Sequence, residues 1–202
     1  MSLTSKNSGG GYFELVPEGT HLARCYLMVD IGYQETANGT KLQVVFGFEI
    51  PGELIDGKPI IIYRVFTNSM HKKSHLRACI ESWRGKKLTE EESQAFDLRK
   101  VLGHPCQLSV VHRDVGEKTY ANIAAITGLP KGLPVAPQVN ESICFDLDTD
   151  GNTSLLPQWL QKKVAGAGTG TELDNFGGLD HPDPAIDDKN DDAFFDDTEI
   201  PF

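Results

Sequence analysis

The sequence predicts a mainly β domain of five short strands, with a helical segment between the third and fourth strands, followed by a disordered acidic tail. The period of the apolar residues predicts the strands and the helix, and the charge distribution predicts the tail. The 202 residues carry a net charge of −10. Residues 165–202 hold 11 acids and one lysine, whereas residues 1–164 hold 18 acids and 18 bases. This distribution indicates a neutral domain with an acidic tail.

The first three predicted strands lie between residues 18 and 67. Apolar side chains alternate between Glu18 and Thr36, a period that is typical of half-buried strands. Asn38-Gly39 is a hairpin turn signal. It leads into a strand whose apolar face comprises Leu42, Val44, Phe46 and Phe48. The third strand, PIIIYRVFT, is rich in β-branched and aromatic residues.

A helical segment separates the third strand from the fourth. Four apolar residues recur at helical spacing: Leu76, Cys79, Ile80 and Trp83. We expect this helix to be capped by Asn68 or Ser69 and to end at Gly85. Thr89 followed by Glu92 is a capping box, which predicts a second, shorter helix. The segments CQLSVVHRD and TYANIAAITGL then form the last two strands.

Five mainly antiparallel strands with a helix between the third and fourth have the order of the OB-fold, a small five-stranded barrel. Periodicity alone also allows a five-stranded sheet with helices on one side. We expect a flexible lead over residues 1–16 and the OB-fold over 17–130. A linker or arm with a short helix covers 131–164. Residues 165–202 form the disordered tail, because they offer too little apolar surface to order the chain.

Basic residues cluster between Lys58 and Lys87, where eight bases stand against one acid, Glu81. Aromatic residues are interleaved with them. This combination suits single-stranded nucleic acid, because cations follow the phosphates and flat rings stack on bases. A solvated helix face above core aromatics is the alternative. The candidate residues for binding single-stranded DNA are Tyr33, Lys41, Tyr63, Arg64, Phe66, Lys72, Lys73, Arg77, Trp83, Arg84, Lys86, Lys87, His112, Arg113 and Tyr120.

The segment Asp191–Phe202 carries the most specific pattern, DDAFFDDTEIPF. Its ending resembles the C-terminal tip of bacterial-type single-stranded DNA-binding proteins (SSBs), although Thr198 interrupts the acids. The resemblance implies a docking peptide whose Phe202 ring fills an apolar pocket while the α-carboxylate pairs with a cation. The partner-docking residues are then Asp196, Asp197, Glu199, Ile200, Pro201 and Phe202.

The middle of the chain resembles a family of phage-encoded SSBs. The shared motifs are ESWRG from Glu81, FDL from Phe96, LGHPC from Leu102 and YANI from Tyr120. The resemblance implies an OB-fold protein that coats and protects single-stranded DNA with little sequence specificity. It also implies a role in phage DNA replication, recombination and repair, with partner enzymes recruited through the acidic tip.

Two motifs suggest a metal site but lack part of it. His71, His75 and Cys79 share helical spacing, but they have no fourth ligand and lie among bases. Asp146 begins half of an EF-hand loop, but Pro157 stands where a bidentate glutamate is required. The sequence also has no catalytic triad motif and no phosphate loop. We therefore expect no metal, no cofactor and no enzymatic activity.

Three other functions remain open: a strand-annealing or recombination-mediator protein, an accessory subunit whose domain contacts proteins, and a nuclease.

No apolar run is long enough to span a membrane. The four cysteines are far apart and form no CxxC motif, which fits reduced thiols. We expect a protein of the bacterial host cytoplasm that binds single-stranded DNA and replication, recombination or repair proteins. Self-association is left open.

Overall fold

The fold comes from a computed structural model, which describes residues 15–37, 39–116, 118–135 and 137–167. The acidic tip and nearly all of the predicted lead and tail lie outside these residues. Within them the chain forms strands β1 to β6, helices α1 to α3 and one short 3₁₀ helix. In chain order these are β1 (Gly19–Thr36), β2 (Gly39–Ile55), β3 (Lys58–Thr67), α1 (His75–Arg84), α2 (Glu90–Gln94), the 3₁₀ helix (Leu98–Val101), β4 (Pro105–Val115), β5 (Lys118–Thr127), β6 (Ile143–Phe145) and α3 (Gln158–Ala165).

The strands form one sheet in the order β3-β2-β1-β4-β5, and β6 pairs with β1. Strand β1 is long and serves two partners. Its first part pairs with β4, and the part from Arg24 onward pairs with β2, both antiparallel. Register shifts between Cys25 and Leu27 and between Asp30 and Gly32 mark irregularities in β1. Such bulges bend a strand, so β1 can curve between its two partners, β4 and β2.

The edge strands β3 and β5 approach each other without forming a ladder in the described residues. The Arg64 guanidinium on β3 donates a hydrogen bond to the Ala124 carbonyl on β5, with a distance of 3.3 Å between Nη1 and O. The predicted mainly β domain, with a helical segment between the third and fourth strands, is confirmed. Backbone pairing does not close the sheet into a barrel across the described parts of β3 and β5.

The inner face of the sheet packs against α1 in a first hydrophobic core. Its largest fully buried side chains include Phe46, Phe48 and Phe66. The Phe46 ring lies 5.4 Å from that of Phe66, and the Phe48 ring lies 5.8 Å from that of Trp83, centroid to centroid. Helix α1 therefore covers one side of the sheet through Trp83 and its apolar neighbours.

Helix α1 begins later than the sequence predicted. Ser74 caps it, because its side chain accepts a hydrogen bond from the Arg77 N–H. The expected caps, Asn68 and Ser69, instead lie in the connection that follows β3. Gly85 ends the helix in the left-handed conformation, as predicted. The capping box of Thr89 is also confirmed at the start of α2.

The outer face of β1, β2 and β3 carries a second hydrophobic core beneath the segment 137–167, which we call the arm. From the sheet side, this core receives Leu27, Val29, Ile31, Val45 and Val65. From the arm it receives Phe145 of β6 and Leu156, Leu160 and Val164 of the α3 region. Because β6 also pairs with β1 in parallel, the arm forms an added layer on the domain.

Two contacts anchor the arm to the sheet. The fully buried Glu49 carboxylate accepts hydrogen bonds from the Val139 N–H, the Asn140 N–H and the Asn140 side-chain amide at 2.7–2.8 Å. Gly32 has φ of +67°, and a Cβ there would lie 2.7 Å from Leu147 and 2.8 Å from Ala167. Only glycine fits this position without moving the arm.

Candidate nucleic-acid interface

The candidate residues lie in four different parts of the fold: the inner core, the covered outer face, the helical segment and the exposed hairpins. Phe66 and Trp83 belong to the inner core, where they are 2% and 6% exposed. The Trp83 indole N–H donates to the Pro105 carbonyl at 2.9 Å, which satisfies its only donor inside the fold. This burial corrects their assignment as stacking residues, because neither ring offers a face to a base.

Tyr63 lies on the covered outer face. Its hydroxyl is 3.2 Å from that of Tyr26, and its ring centroid is 5.0 Å from that of Trp159 in the arm. Burial raises the pKa of the Tyr63 hydroxyl. The neighbouring Val45 is fully buried beneath the arm. The outer face of β2 and β3, on which the candidate Tyr63 lies, is therefore occupied by residues of the chain itself.

The helical segment is less positive than residues 58–87 alone indicate, because Glu81 and two acids of α2 pair with bases in and around α1. Four ion pairs form here: Lys72 with Glu90 at 3.1 Å, Arg77 with Glu81 at 3.0 Å, Arg84 with Glu92 at 2.7 Å, and Lys87 with Glu81 at 3.5 Å. Between residues 71 and 94 six bases thus stand against four acids. Lys73 and Lys86 are exposed and form no ion pair with the described residues.

The ion pairing lowers the pKa of Glu92. A hydrogen bond from Arg84 holds the pKa of Glu92 at about 2, and the Thr89 backbone N–H contributes. The Arg84 guanidinium also lies 5.2 Å from the centroid of the Phe96 ring. Arg84 is therefore held within the helical segment and is a weak candidate for contacting phosphates.

The β1–β2 hairpin places two candidates near the end of the arm. Tyr33 is 60% exposed, and Lys41 is half-buried opposite Gln34. The Gln34 side-chain amide donates to the Lys163 carbonyl of α3 at 3.3 Å. The Tyr33 ring is thus open to solvent beside the covered face.

The outer face of the β4–β5 hairpin differs from that of β1–β3, because Val111 and Val115 on it are 43% and 53% exposed. The register pairs Val111 with Asn122, Arg113 with Tyr120, and Val115 with Lys118. Directly opposed residues of an antiparallel pair share a face. We call these six residues the hairpin face. They include two cations and no carboxylate.

His112 points away from the hairpin face. Its ring Nε2 lies 2.8 Å from the Val16 carbonyl, and its backbone N–H donates to the Glu18 carboxylate at 2.6 Å. It therefore ties the start of the described chain to β4.

The candidate list also missed Val111, Lys118 and Asn122. Alternation along each strand groups them with Arg113 and Tyr120, but it does not reveal which outer face stays open.

Comparison with known proteins adds no family: no protein-family model matches the chain, and no curated protein sequence matches it. Across the described ranges, His, Cys, Asp and Glu side chains form no group of three or more that could hold a metal ion. The helices in the described part of the chain are too short or too polar to cross a membrane.

Proposed function

We propose that this chain is a single-stranded DNA-binding protein with an OB-fold. The strand order carries the proposal: β1 is shared between β2 and β4, and the helical segment is inserted between β3 and β4. That order is the one expected of an OB-fold, in which β3 and β5 face each other across the last gap of the barrel. The hydrogen bond from Arg64 to Ala124 spans this gap.

The hairpin face is the proposed centre of the DNA interface. Arg113 and Lys118 supply positive charge, and Tyr120 supplies a ring on which a base can stack. OB-folds commonly bind through the outer face of strands two and three and the hairpins that flank it. Here the arm covers that face, which moves the proposed interface toward β4 and β5.

Binding through phosphates and stacked rings carries little sequence information, so the proposed activity is equilibrium coating of single strands without catalysis. The test is titration of a labelled oligothymidylate with the full chain at several salt concentrations. We expect the logarithm of the binding constant to fall linearly with the logarithm of the salt concentration. A duplex of equal length is the control, and equal affinity for the duplex or a flat salt response would contradict the proposal.

We further propose that Asp191–Phe202 recruits partner enzymes during DNA replication, recombination or repair. The sequence pattern supports this, because an aromatic anchor next to acidic residues suits an apolar pocket with a basic rim. Pull-down from host lysate with wild-type and Phe202→Ala protein tests it. We expect the alanine variant to lose replication proteins while keeping its affinity for oligothymidylate. Thr198→Ala is the matched control, and equal recruitment by Phe202→Ala and wild type would overturn the proposal.

A further inference from the structure

Arg64 occupies the gap between the two edge strands of the sheet. It alternates with Ile62 and Phe66, which both lie in the inner core, so its side chain starts on the inner side of β3. The guanidinium carbon lies 4.8 Å from the centroid of the Phe66 ring. Its Nη1 reaches the Ala124 carbonyl at 3.3 Å. Arg64 is half-buried, and the hydrogen bond from its Nη1 to Ala124 is an exposed one.

The charge of Arg64 has no protein counterion among the described residues. Two other half-buried arginines, Arg77 and Arg84, each face a glutamate at 3.0 Å or less. Arg64 makes no such ion pair there, and the one titratable side chain that acts on its charge is the Cys79 thiol. Burial raises the pKa of that thiol to about 12, so it is neutral at physiological pH. A partly desolvated cation without a carboxylate is costly unless an anion pairs with it.

The geometry of a guanidinium suits one class of anion. Its planar fork of five N–H donors matches the oxygens of a phosphate group, and the Ala124 carbonyl engages one nitrogen of the fork. Ala124 follows Asn122 of the hairpin face by two residues along β5. The gap therefore adjoins the surface proposed to hold the nucleic acid.

We propose that Arg64 binds a phosphate group in the gap between β3 and β5, where a single strand lying on the hairpin face crosses the edge of β5. The source of the phosphate rests on the proposed function, whereas the anion site itself does not. Arg64 is then a specific phosphate contact on the inner side of the sheet edge. The competing role is structural, with Arg64 only filling the gap.

The first experiment uses inorganic phosphate with the full wild-type chain. The Arg64 Nε–Hε resonance, assigned by its loss in Arg64→Met, is followed by NMR during titration with phosphate at constant ionic strength set by chloride. We expect a saturable shift of Arg64 and only a small shift of Arg99, an exposed arginine that is paired with Asp97. No shift of Arg64, or equal shifts of both arginines, would overturn the proposal.

The second experiment measures oligothymidylate affinity for three variants. Arg64→Met should weaken binding on the order of tenfold and lower the salt slope by about 0.7, the value for one phosphate contact to a single strand. Arg64→Lys should keep the slope and lose part of the affinity, because a lysine lacks the fork. Arg99→Met is the control and should leave affinity unchanged.

The two experiments separate this inference from the proposed function. If phosphate shifts Arg64 but oligothymidylate does not bind, the anion site stands and the proposed function fails. If oligothymidylate binds wild type and Arg64→Met equally well, the inference fails and the proposed function stands. Should Arg64→Met fail to fold, Arg64→Lys and the wild-type phosphate titration decide between the two roles.

Discussion

The two outer faces of the sheet have opposite surroundings. On β1–β3 the outward residues Val45 and Val65 are 0% and 3% exposed, because the arm packs on them. On β4–β5 the outward residues Val111 and Val115 remain 43% and 53% exposed beside Arg113 and a half-buried Tyr120. Strand alternation therefore defines a face, whereas a distant segment of the chain decides whether that face is core or surface.

A substitution in the arm should change the stability of the protein most. Leu160→Ala removes a fully buried side chain from the second core. We expect the free energy of unfolding to fall by about 2–5 kcal/mol, because the transfer of the side chain and the cavity both contribute. Urea denaturation measures it. Leu155→Ala, in the same arm but 72% exposed, should change stability by less than about 0.5 kcal/mol. Equal effects of the two variants would show that the arm does not pack on the sheet.

Two tyrosines, one from each face, should differ in how much they contribute to oligothymidylate affinity. Tyr120→Ala should weaken oligothymidylate binding by about 1–3 kcal/mol, the contribution of one stacked base. Tyr120→Phe keeps the ring and should bind as wild type. Tyr63→Phe removes only the hydroxyl that lies near Tyr26 beneath the arm, and it should leave affinity unchanged. Fluorescence titration decides, and an unaltered affinity of Tyr120→Ala would remove the hairpin face from the interface.

Two cations, Arg113 and Lys72, should differ in how much they contribute to the salt dependence of binding. Arg113→Gln should reduce the slope of log K against log salt by about 0.7, since one phosphate contact is lost. Lys72→Gln should change the slope less, because Lys72 belongs to the helical segment and lies outside the hairpin face. Titrations at four or more salt concentrations measure both slopes. A larger change for Lys72→Gln would return the interface to the helical segment.

The smallest effect tests the pairing within the helical segment. The pKa of Glu92 lies at about 2 in the folded chain, below the usual value for glutamate, because of the hydrogen bond from Arg84. A lowered pKa stabilises the fold above the ordinary glutamate pKa, and this contribution is lost as the pH falls toward 2. Glu92→Gln should therefore be less stable than wild type at pH 7, with a gap that narrows toward pH 2.

Thermal unfolding at several pH values between 7 and 2 measures this gap. Glu91→Gln is the control, because Glu91 is exposed and precedes Glu92 directly. Its stability should follow that of wild type at every pH. A gap between wild type and Glu92→Gln that stays constant with pH would contradict the assigned ion pair.

Much of the local structure follows from the sequence. The turn signals, the alternation of Phe46 and Phe48, the capping box at Thr89 and the end of α1 at Gly85 are set by neighbours within a few residues. Such features depend on short-range sterics and hydrogen bonds. The strands and helices are therefore predictable from local patterns. The start of α1 differs from the prediction because Ser74, rather than Asn68 or Ser69, caps the helix.

The surroundings of the site could not be predicted in the same way, because they depend on contacts between distant residues. Glu49 holds Asn140 across 91 positions, and Trp83 bonds to Pro105 across 22. Glu90 neutralises Lys72 only once α2 folds back toward α1. A window of sequence counts such charges without their partners, so it overstated the positive charge of the basic cluster. It also did not show that Trp83 is buried in the inner core.

The most direct measurement is an NMR titration of the ¹⁵N-labelled full chain with a short oligothymidylate. We predict that the backbone amides perturbed at the lowest DNA concentrations lie between residues 111 and 124 and around Arg64. Amides of Val29 and Val45, beneath the arm, should stay unperturbed up to saturation. Perturbation centred on the arm and on the outer face of β1–β3, or no perturbation at any DNA concentration, would contradict the hairpin face as the DNA interface.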